Sequence, residues 1–287
     1  MNDILYLENI SYLYSKGTPF EKCALKNVSL AFKRGRITGL IGHTGSGKST
    51  LVNLLNGLYR PTEGRVFLDG VDIWEKPKEI SKVRYRVGLV MQYPEYQLFE
   101  ETVGKDIAFA PTNQGLKEEE ISERVREAMG FVGLSDELID KSPFDLSGGQ
   151  KRRVAIAGII AMRPEVLVLD EPAAGLDPRG RREILGGLRA YAEKMNSSVI
   201  LVSHSMEDMA HYCDDVVVMN KGEVYKTGSV EEIFSESESL TAVGLDVPLI
   251  SRIADNLRKK GIALTGSLYT VEGVKDAIVR YLGGEGK

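Results

Sequence analysis

The 287-residue chain is short of cysteine, of net basic charge and of long apolar runs, and each shortage removes a class of function. Its two cysteines, Cys23 and Cys213, stand far apart and match no metal-ligand spacing, so a reducing cytoplasm is the expected setting. A formal charge of -4 and a pI near 5.6 argue against a general nucleic-acid binder, which carries a strong basic excess. The longest apolar run, Val154 to Met162, ends at Arg163 and is about half of the ~20 residues a bilayer requires. The amino-terminal MNDILYLENI has neither a basic n-region nor an apolar h-region, so no signal peptide is expected. What is present, 43% hydrophobic and 27% charged residues, fits a folded globular chain and not a disordered or fibrous one.

Short strands are expected at Leu5–Ile10 and Val28–Phe32, followed by a buried-type strand at Ile37–Ile41 that runs into glycines. A helix from Lys48 to about Leu58 precedes Pro61, and GRVFLDG, residues 64–70, reads as a hairpin. After a strand at Val87–Met91 the pattern turns helical from Thr102 to about Ala161, with Ile121, Val125, Met129 and Val132 at helical spacing. Apolar strands resume at Val166–Leu169, Ser198–Val202 and Val216–Met219. Strands alternating with helices predict an α/β fold on a mainly parallel sheet, interrupted by a helical insertion over about 102–163. From residue 234 the acidic, serine-rich FSESESL leads to two amphipathic helices, Pro248–Lys260 and Val271–Leu282, a 234–287 extension that covers the main domain or pairs with another chain.

Three motifs carry chemistry. The stretch GHTGSGKST fits GxxxxGK[ST] between a strand and a helix, and comprises Gly42, His43, Thr44, Gly45, Ser46, Gly47, Lys48, Ser49 and Thr50. Its glycines let backbone N–H groups curl around a phosphate, Lys48 reaches the β and γ oxygens, and the Ser49 hydroxyl suits Mg2+. VLVLDEP ends a buried strand with Asp170 and Glu171, which strand geometry points in opposite directions. One can help hold Mg2+ while the other orients or deprotonates a water. His204, after the Ser198–Val202 strand, reaches the same carboxyl-end crevice and can donate a hydrogen bond to a γ-phosphate.

The third motif is LSGGQKRRVAIAG, residues 146–158. Gly148 and Gly149 at a helix start cost roughly 1 kcal/mol each against alanine, so something compensates: a tight turn before a core helix, or a bare backbone shaped to receive an anion. The basic residues Lys151–Arg153 read as a solvated first turn in preference to an anion patch.

In this order the motifs resemble the ATP-binding cassette (ABC) family of ATPases over about residues 3–233, and LSGGQ is that family's signature sequence. The resemblance implies a P-loop nucleotide triphosphatase: a RecA-like core with an antiparallel β subdomain, a helical signature subdomain and here a small C-terminal extension. It implies two cassettes facing head to tail, with Ser147, Gly148, Gly149 and Gln150 of one closing over the γ-phosphate held by the other. It further implies ATP and Mg2+ as cofactors, Glu171 as catalytic base, and His204 and Lys48 on the γ-phosphate. Ser49, Asp170 and Gln92 would serve Mg2+, with Gln92 also linking the site to a membrane partner. Tyr14, with Tyr12 as a neighbouring candidate, would stack on adenine, and Asp177 would cross the dimer interface.

Three classes of cassette protein compete. DNA-repair relatives separate loop and signature by a long coiled coil, and translation-factor relatives carry two cassettes, whereas this chain has one GxxxxGK[ST] and a compact spacing; transport is the better match. QYPEYQLFEETVGKDIAFAPTNQG, Gln92–Gly115, with SPFDLSGGQKRRVAIAG and DEPAAGLDPRGR, looks most like the second ATPase subunit of energy-coupling factor transporters. That implies a peripheral protein on the cytoplasmic face of the membrane. Its partners would be a second cassette, a transmembrane coupling protein and interchangeable substrate-binding subunits importing vitamins or transition-metal ions, with no nucleic acid.

Overall fold

A computed structural model describes residues 3–283. The chain opens with β1 (Asp3–Tyr14), β2 (Lys22–Lys33), β3 (Ile37–Ile41), α1 (Lys48–Leu55), β4 (Glu63–Leu68), β5 (Val71–Asp72), α2 (Ile80–Arg86) and β6 (Val87–Val90). A helical stretch follows, α3 (Val103–Asn113), α4 (Glu118–Phe131) and α5 (Gly148–Ile160). The chain then alternates β7 (Val166–Asp170), α6 (Pro178–Met195), β8 (Ser198–Val202), α7 (Met206–Tyr212), β9 (Asp215–Asn220) and β10 (Glu223–Ser229). It continues in α8 (Val230–Phe234), α9 (Ser237–Ala242), α10 (Leu249–Lys259) and α11 (Val271–Leu282).

Two sheets result. A six-stranded sheet has the order β10-β9-β3-β8-β7-β6, with β9, β3, β8, β7 and β6 parallel and β10 antiparallel at one edge. A four-stranded antiparallel sheet, β2-β1-β4-β5, covers one of its faces. Apolar runs without alternation are what a parallel strand buried on both faces requires. In β7, Val166 and Val168 enter the core shared with the antiparallel sheet and α1, whereas Leu167 and Leu169 enter the core shared with the helices.

The 64–70 hairpin turns on Asp69 and Gly70, both at positive φ, the two-residue type I′ geometry that matches strand twist. The first strand extends beyond Leu5–Ile10 because its pairing with β2 continues through register shifts to Tyr14↔Lys22. α1 ends three residues before the expected Leu58. Gly57 sits at φ +69, and a Cβ there would lie 2.6 Å from Ile80, so the chain must leave the helix at that point.

The region from residue 234 onward divides in two. Phe234, Leu240, Leu245 and Val247 pack into the main core, while Ala254, Leu264, Val274 and Ala277 form a separate small cluster between α10 and α11. Leu249, Ile253 and Val271 of these helices stay exposed. The final stretch of the expected extension, residues 284–287, lies outside the described residues.

Candidate functional site

The parallel strands determine where the chemistry gathers. In the order β6-β7-β8-β3 their carboxyl ends are level, with Asp170↔Val202 and Leu40↔Val202 in register. Each strand therefore delivers its following residues to one crevice: Gln92 after β6, Asp170 and Glu171 from β7, His204 after β8, and the phosphate loop after β3. A cavity of about 320 Å3 at this edge is lined by Tyr14, Thr44, Gly45, Gly47, Lys48, Ser49, Thr50, Gln92, Asp170, Glu171 and His204. Lys22, Cys23, Ala24 and Val202 complete it. Sequence reasoning missed these four: Lys22, Cys23 and Ala24 belong to β2, which contributes its edge through long-range pairing and carries no motif, and Val202 is the apolar last residue of β8 with no reactive group of its own.

Gly47 caps α1 in a left-handed conformation (φ +104), and a Cβ there would lie 2.7 Å from Leu25 and 2.8 Å from the Ala24 carbonyl, so only glycine fits. The loop's underside is braced by the β9–β10 turn: His43 Nε2 and Asn220 Oδ1 lie 3.0 Å apart, and the Gly222 N–H donates to the Ser46 carbonyl at 3.0 Å. His43, the fully buried Ser46 and Gly42 thus support the loop from behind while its remaining residues face the cavity.

Lys48 is buried and donates to the carbonyls of Gly42 (2.6 Å) and His43 (3.2 Å). Burial holds its ammonium pKa below the ordinary value, and the Asp170 and Glu171 carboxylates oppose that shift. Ser49 donates to Asp170 Oδ2 at 3.2 Å. Burial raises the Asp170 carboxyl, with the Ser49 hydrogen bond and Lys48 pulling the other way. Hydroxyl, carboxylate and the nearby Gln92 amide are hard oxygen donors, the chemistry Mg2+ selects, and Mg2+ characteristically takes few protein ligands and completes its shell with phosphates and water.

Glu171 sits at φ +54, a conformation that costs a non-glycine residue of order 1–3 kcal/mol, and its N–H is anchored to the Val202 carbonyl at 3.0 Å. Burial first, and the adjacent Asp170 charge second, push its carboxyl up to about 7. Its Oε1 is buried without a partner and lies 3.7 Å from His204 Nε2, beyond hydrogen-bond range. Burial and the Lys48 charge lower the His204 pKa, which favours the neutral imidazole, able to donate one hydrogen bond. A carboxylate poised near neutrality with an unengaged oxygen is suited to take a proton from water.

Tyr14 lines the cavity and its hydroxyl lies 3.0 Å from Thr50 Oγ1, whereas Tyr12 stacks on Tyr59 with ring centroids 5.2 Å apart. Ser147, Gly148, Gly149, Gln150 and Asp177 do not line this cavity. Ser147 and Gln150 form a capping box at the start of α5, and Asp177 caps α6 by accepting from the Gly180 N–H at 2.6 Å.

Among the described residues nothing demands glycine at 148 or 149. Neither has a positive φ; a Cβ on Gly148 would meet nothing within 4 Å, and one on Gly149 would make an ordinary contact with Leu176 at 3.4 Å.

The expected solvated turn at Lys151–Arg153 is corrected. Arg152 and Arg153 are buried, because each guanidinium finds internal acceptors: Glu95 and the Ala174 carbonyl for Arg152, Glu183 and the Val132 carbonyl for Arg153. Sequence spacing does not reveal these partners, which lie 57, 22, 30 and 21 residues away.

A family model described as ABC transporter matches residues 25–174. Among curated relatives, the energy-coupling factor transporter ATP-binding protein EcfA2 of Caldanaerobacter subterraneus subsp. tengcongensis is 53% identical over 278 residues, 97% of each chain. The protein of the same name from Clostridium perfringens is 51% identical over 96% of this chain and 97% of its own. Among solved structures, cbiO1 of Clostridium perfringens, part of the ABC transporter complex cbiONQ, superimposes with a TM-score of 0.76 at 40% identity, covering 89% of this chain and all 100% of that one. A dimeric ATP-binding cassette in a post-hydrolysis state bound to ADP and Pi gives a TM-score of 0.71 at 29% identity, over 79% of this chain and 98% of that one.

Proposed function

The chain belongs to the ABC transporter family, among the ATP-binding proteins of energy-coupling factor transporters, and from that premise we propose how its ATP hydrolysis is performed and what it drives. The observation that carries the reading is the group at the strand ends: the phosphate loop, the Ser49–Asp170 hydrogen bond and Glu171 with its free carboxylate oxygen. Lys48 and the loop N–H groups bind the phosphates, Tyr14 stacks on the base, Glu171 accepts a proton from the attacking water, and His204 donates to the γ-phosphate. Ser49 and Asp170, with Gln92, would hold Mg2+, which neutralises charge on the β- and γ-phosphate oxygens when bound.

Gly148 and Gly149 have no structural reason inside this chain, and a second cassette supplies one. Their bare backbone, at the N-terminus of α5, suits the γ-phosphate held by a partner, with Asp177 beside the same interface. In this reading the partner is a paralogous cassette, and α10 and α11, with Leu249, Ile253 and Val271 exposed, contribute to the pairing. Tyr93, Tyr96 and Phe99 are exposed just after Gln92 and form the surface that meets a transmembrane coupling protein. No helix among the described residues is long and apolar enough to cross a membrane; in this reading the coupling protein holds the chain at the cytoplasmic face. The cargo, a vitamin or a transition-metal ion, would be recognised by separate substrate-binding membrane subunits.

Affinity capture of the tagged chain from gently solubilised native membranes tests this. Recovery of a second cassette, a coupling membrane protein and varied substrate-binding subunits is expected. Recovery with a dedicated permease pair, or with DNA or ribosomes, would overturn the assignment while leaving the ATPase.

A further inference from the structure

The basic turn after the signature glycines has no part in the nucleotide site, yet Arg152 is one of the most enclosed charges in the chain. Its guanidinium makes two parallel bonds to Glu95, Nε to Oε2 at 3.0 Å and Nη2 to Oε1 at 2.8 Å, and Nη1 donates to the Ala174 carbonyl. The side chains of Arg152 and Glu95 are only 6% and 17% exposed. This separates them from surface ion pairs, which contribute little. The fork geometry also fixes direction as well as distance.

Three segments meet at this one side chain. Glu95 belongs to the short 3-10 turn Pro94–Gln97 that follows Gln92 and carries the exposed Tyr96. Arg152 itself begins the second turn of α5, three residues after Gly149. Ala174 lies between Glu171 and Asp177, and its N–H donates to the Glu171 carbonyl at 3.2 Å. If the 94–97 turn moved alone, it would leave a buried guanidinium unpaired, which is strongly unfavourable; the segments are therefore held to move together. Although burial pushes the Glu95 carboxyl up, its bonds to Arg152 hold it below the ordinary value, so the pair stays ionised near neutral pH.

We propose that Arg152 is a positioning residue that ties the membrane-facing turn 94–97 to the signature turn and to the loop carrying Glu171, so that partner movement and site closure are one motion. This rests on the reading that the 92–99 surface is the docking face of the membrane partner. It assigns a role to a side chain that touches neither nucleotide nor partner.

The test uses the full chain assembled with its second cassette and membrane subunits in proteoliposomes, comparing Glu95→Gln, Arg152→Lys and the double variant Glu95→Gln/Arg152→Met. Each single variant should keep its KM for ATP within about twofold while kcat and cargo uptake fall by up to about 100-fold, the size of effect a small misplacement of catalytic groups produces. The double variant, which leaves no unpaired buried charge, should recover the melting temperature and neither kcat nor uptake. Wild-type kcat and uptake in the folded single variants, or uptake restored by the double variant, would overturn the proposal. Tyr96→Asp, on the exposed side of the same turn, separates the two readings. Loss of membrane assembly there beside an unaffected Glu95→Gln complex overturns the role of Arg152 alone, whereas normal uptake by Tyr96→Asp overturns the docking face and the proposal with it.

Discussion

The position of Glu171 predicts that removing its charge makes the nucleotide-free protein more stable, and that the gain depends on pH. Its carboxyl is raised from 4.5 to about 7, first by burial and then by Asp170. The folded protein therefore binds this proton more tightly than the unfolded chain. The stability associated with it is complete below pH 4.5 and is lost as pH rises through about 7. At about 1.36 kcal/mol per pH unit, the raised pKa costs about 3 kcal/mol at pH 8, where the folded group is ionised, and about 1 kcal/mol at pH 5.5, where the folded group holds a proton that the unfolded chain has released. These are upper bounds, since penetrating water offsets part of the cost.

Glu171→Gln preserves shape and abolishes the titration. With about 2 °C of melting temperature per kcal/mol in a chain of this size, the variant should melt up to about 6 °C above wild type at pH 8 and up to about 2 °C above it at pH 5.5. Differential scanning fluorimetry of both proteins without nucleotide, across that range, measures this directly. An equal difference at both pH values, or a less stable variant at pH 8, would refute the claim that a buried charge is held here against its solvation.

Other perturbations have equally definite outcomes. Gly148→Ala meets open space and gains helix propensity, so the melting temperature should hold or rise, by up to about 1 kcal/mol of stability, while ATP turnover of the paired cassettes collapses; calorimetry beside a phosphate-release assay reads both. Lys48→Ala should weaken ATP binding by at least about tenfold, as a charge-assisted phosphate contact of 1.5–3 kcal/mol (roughly) is lost, measured by fluorescent-nucleotide titration. Leu167→Ala, at a fully buried position in the central strand β7, should cost about 2–5 kcal/mol in a urea titration.

How far the fold could be read from sequence follows from where its information lies. The apolar strands Val166–Leu169 and Ser198–Val202 were legible because a doubly buried parallel strand has no other composition, and the phosphate loop because its glycine spacing is set by the conformation it must adopt. The end of α1 was displaced because Gly57, and not Pro61, breaks the helix. Lys151–Arg153, three adjacent cations without local acids, has the sequence pattern of a solvated turn. Their partners, Glu95 and Glu183, arrive only through tertiary packing of the 94–97 turn and α6 against α5. Likewise Cys23 and Ala24 reach the cavity through β1–β2 pairing, which no local pattern encodes.

In the proposed mechanism this chain hydrolyses ATP in a composite site closed by a second cassette, with Glu171 as base. The most direct measurement is sedimentation of the Glu171→Gln chain with its partner cassette, with and without Mg-ATP, in parallel with phosphate release. A stable ATP-dependent pair is expected, with turnover lower by about 10²–10⁴-fold. Normal turnover, or no association at saturating ATP, would contradict it.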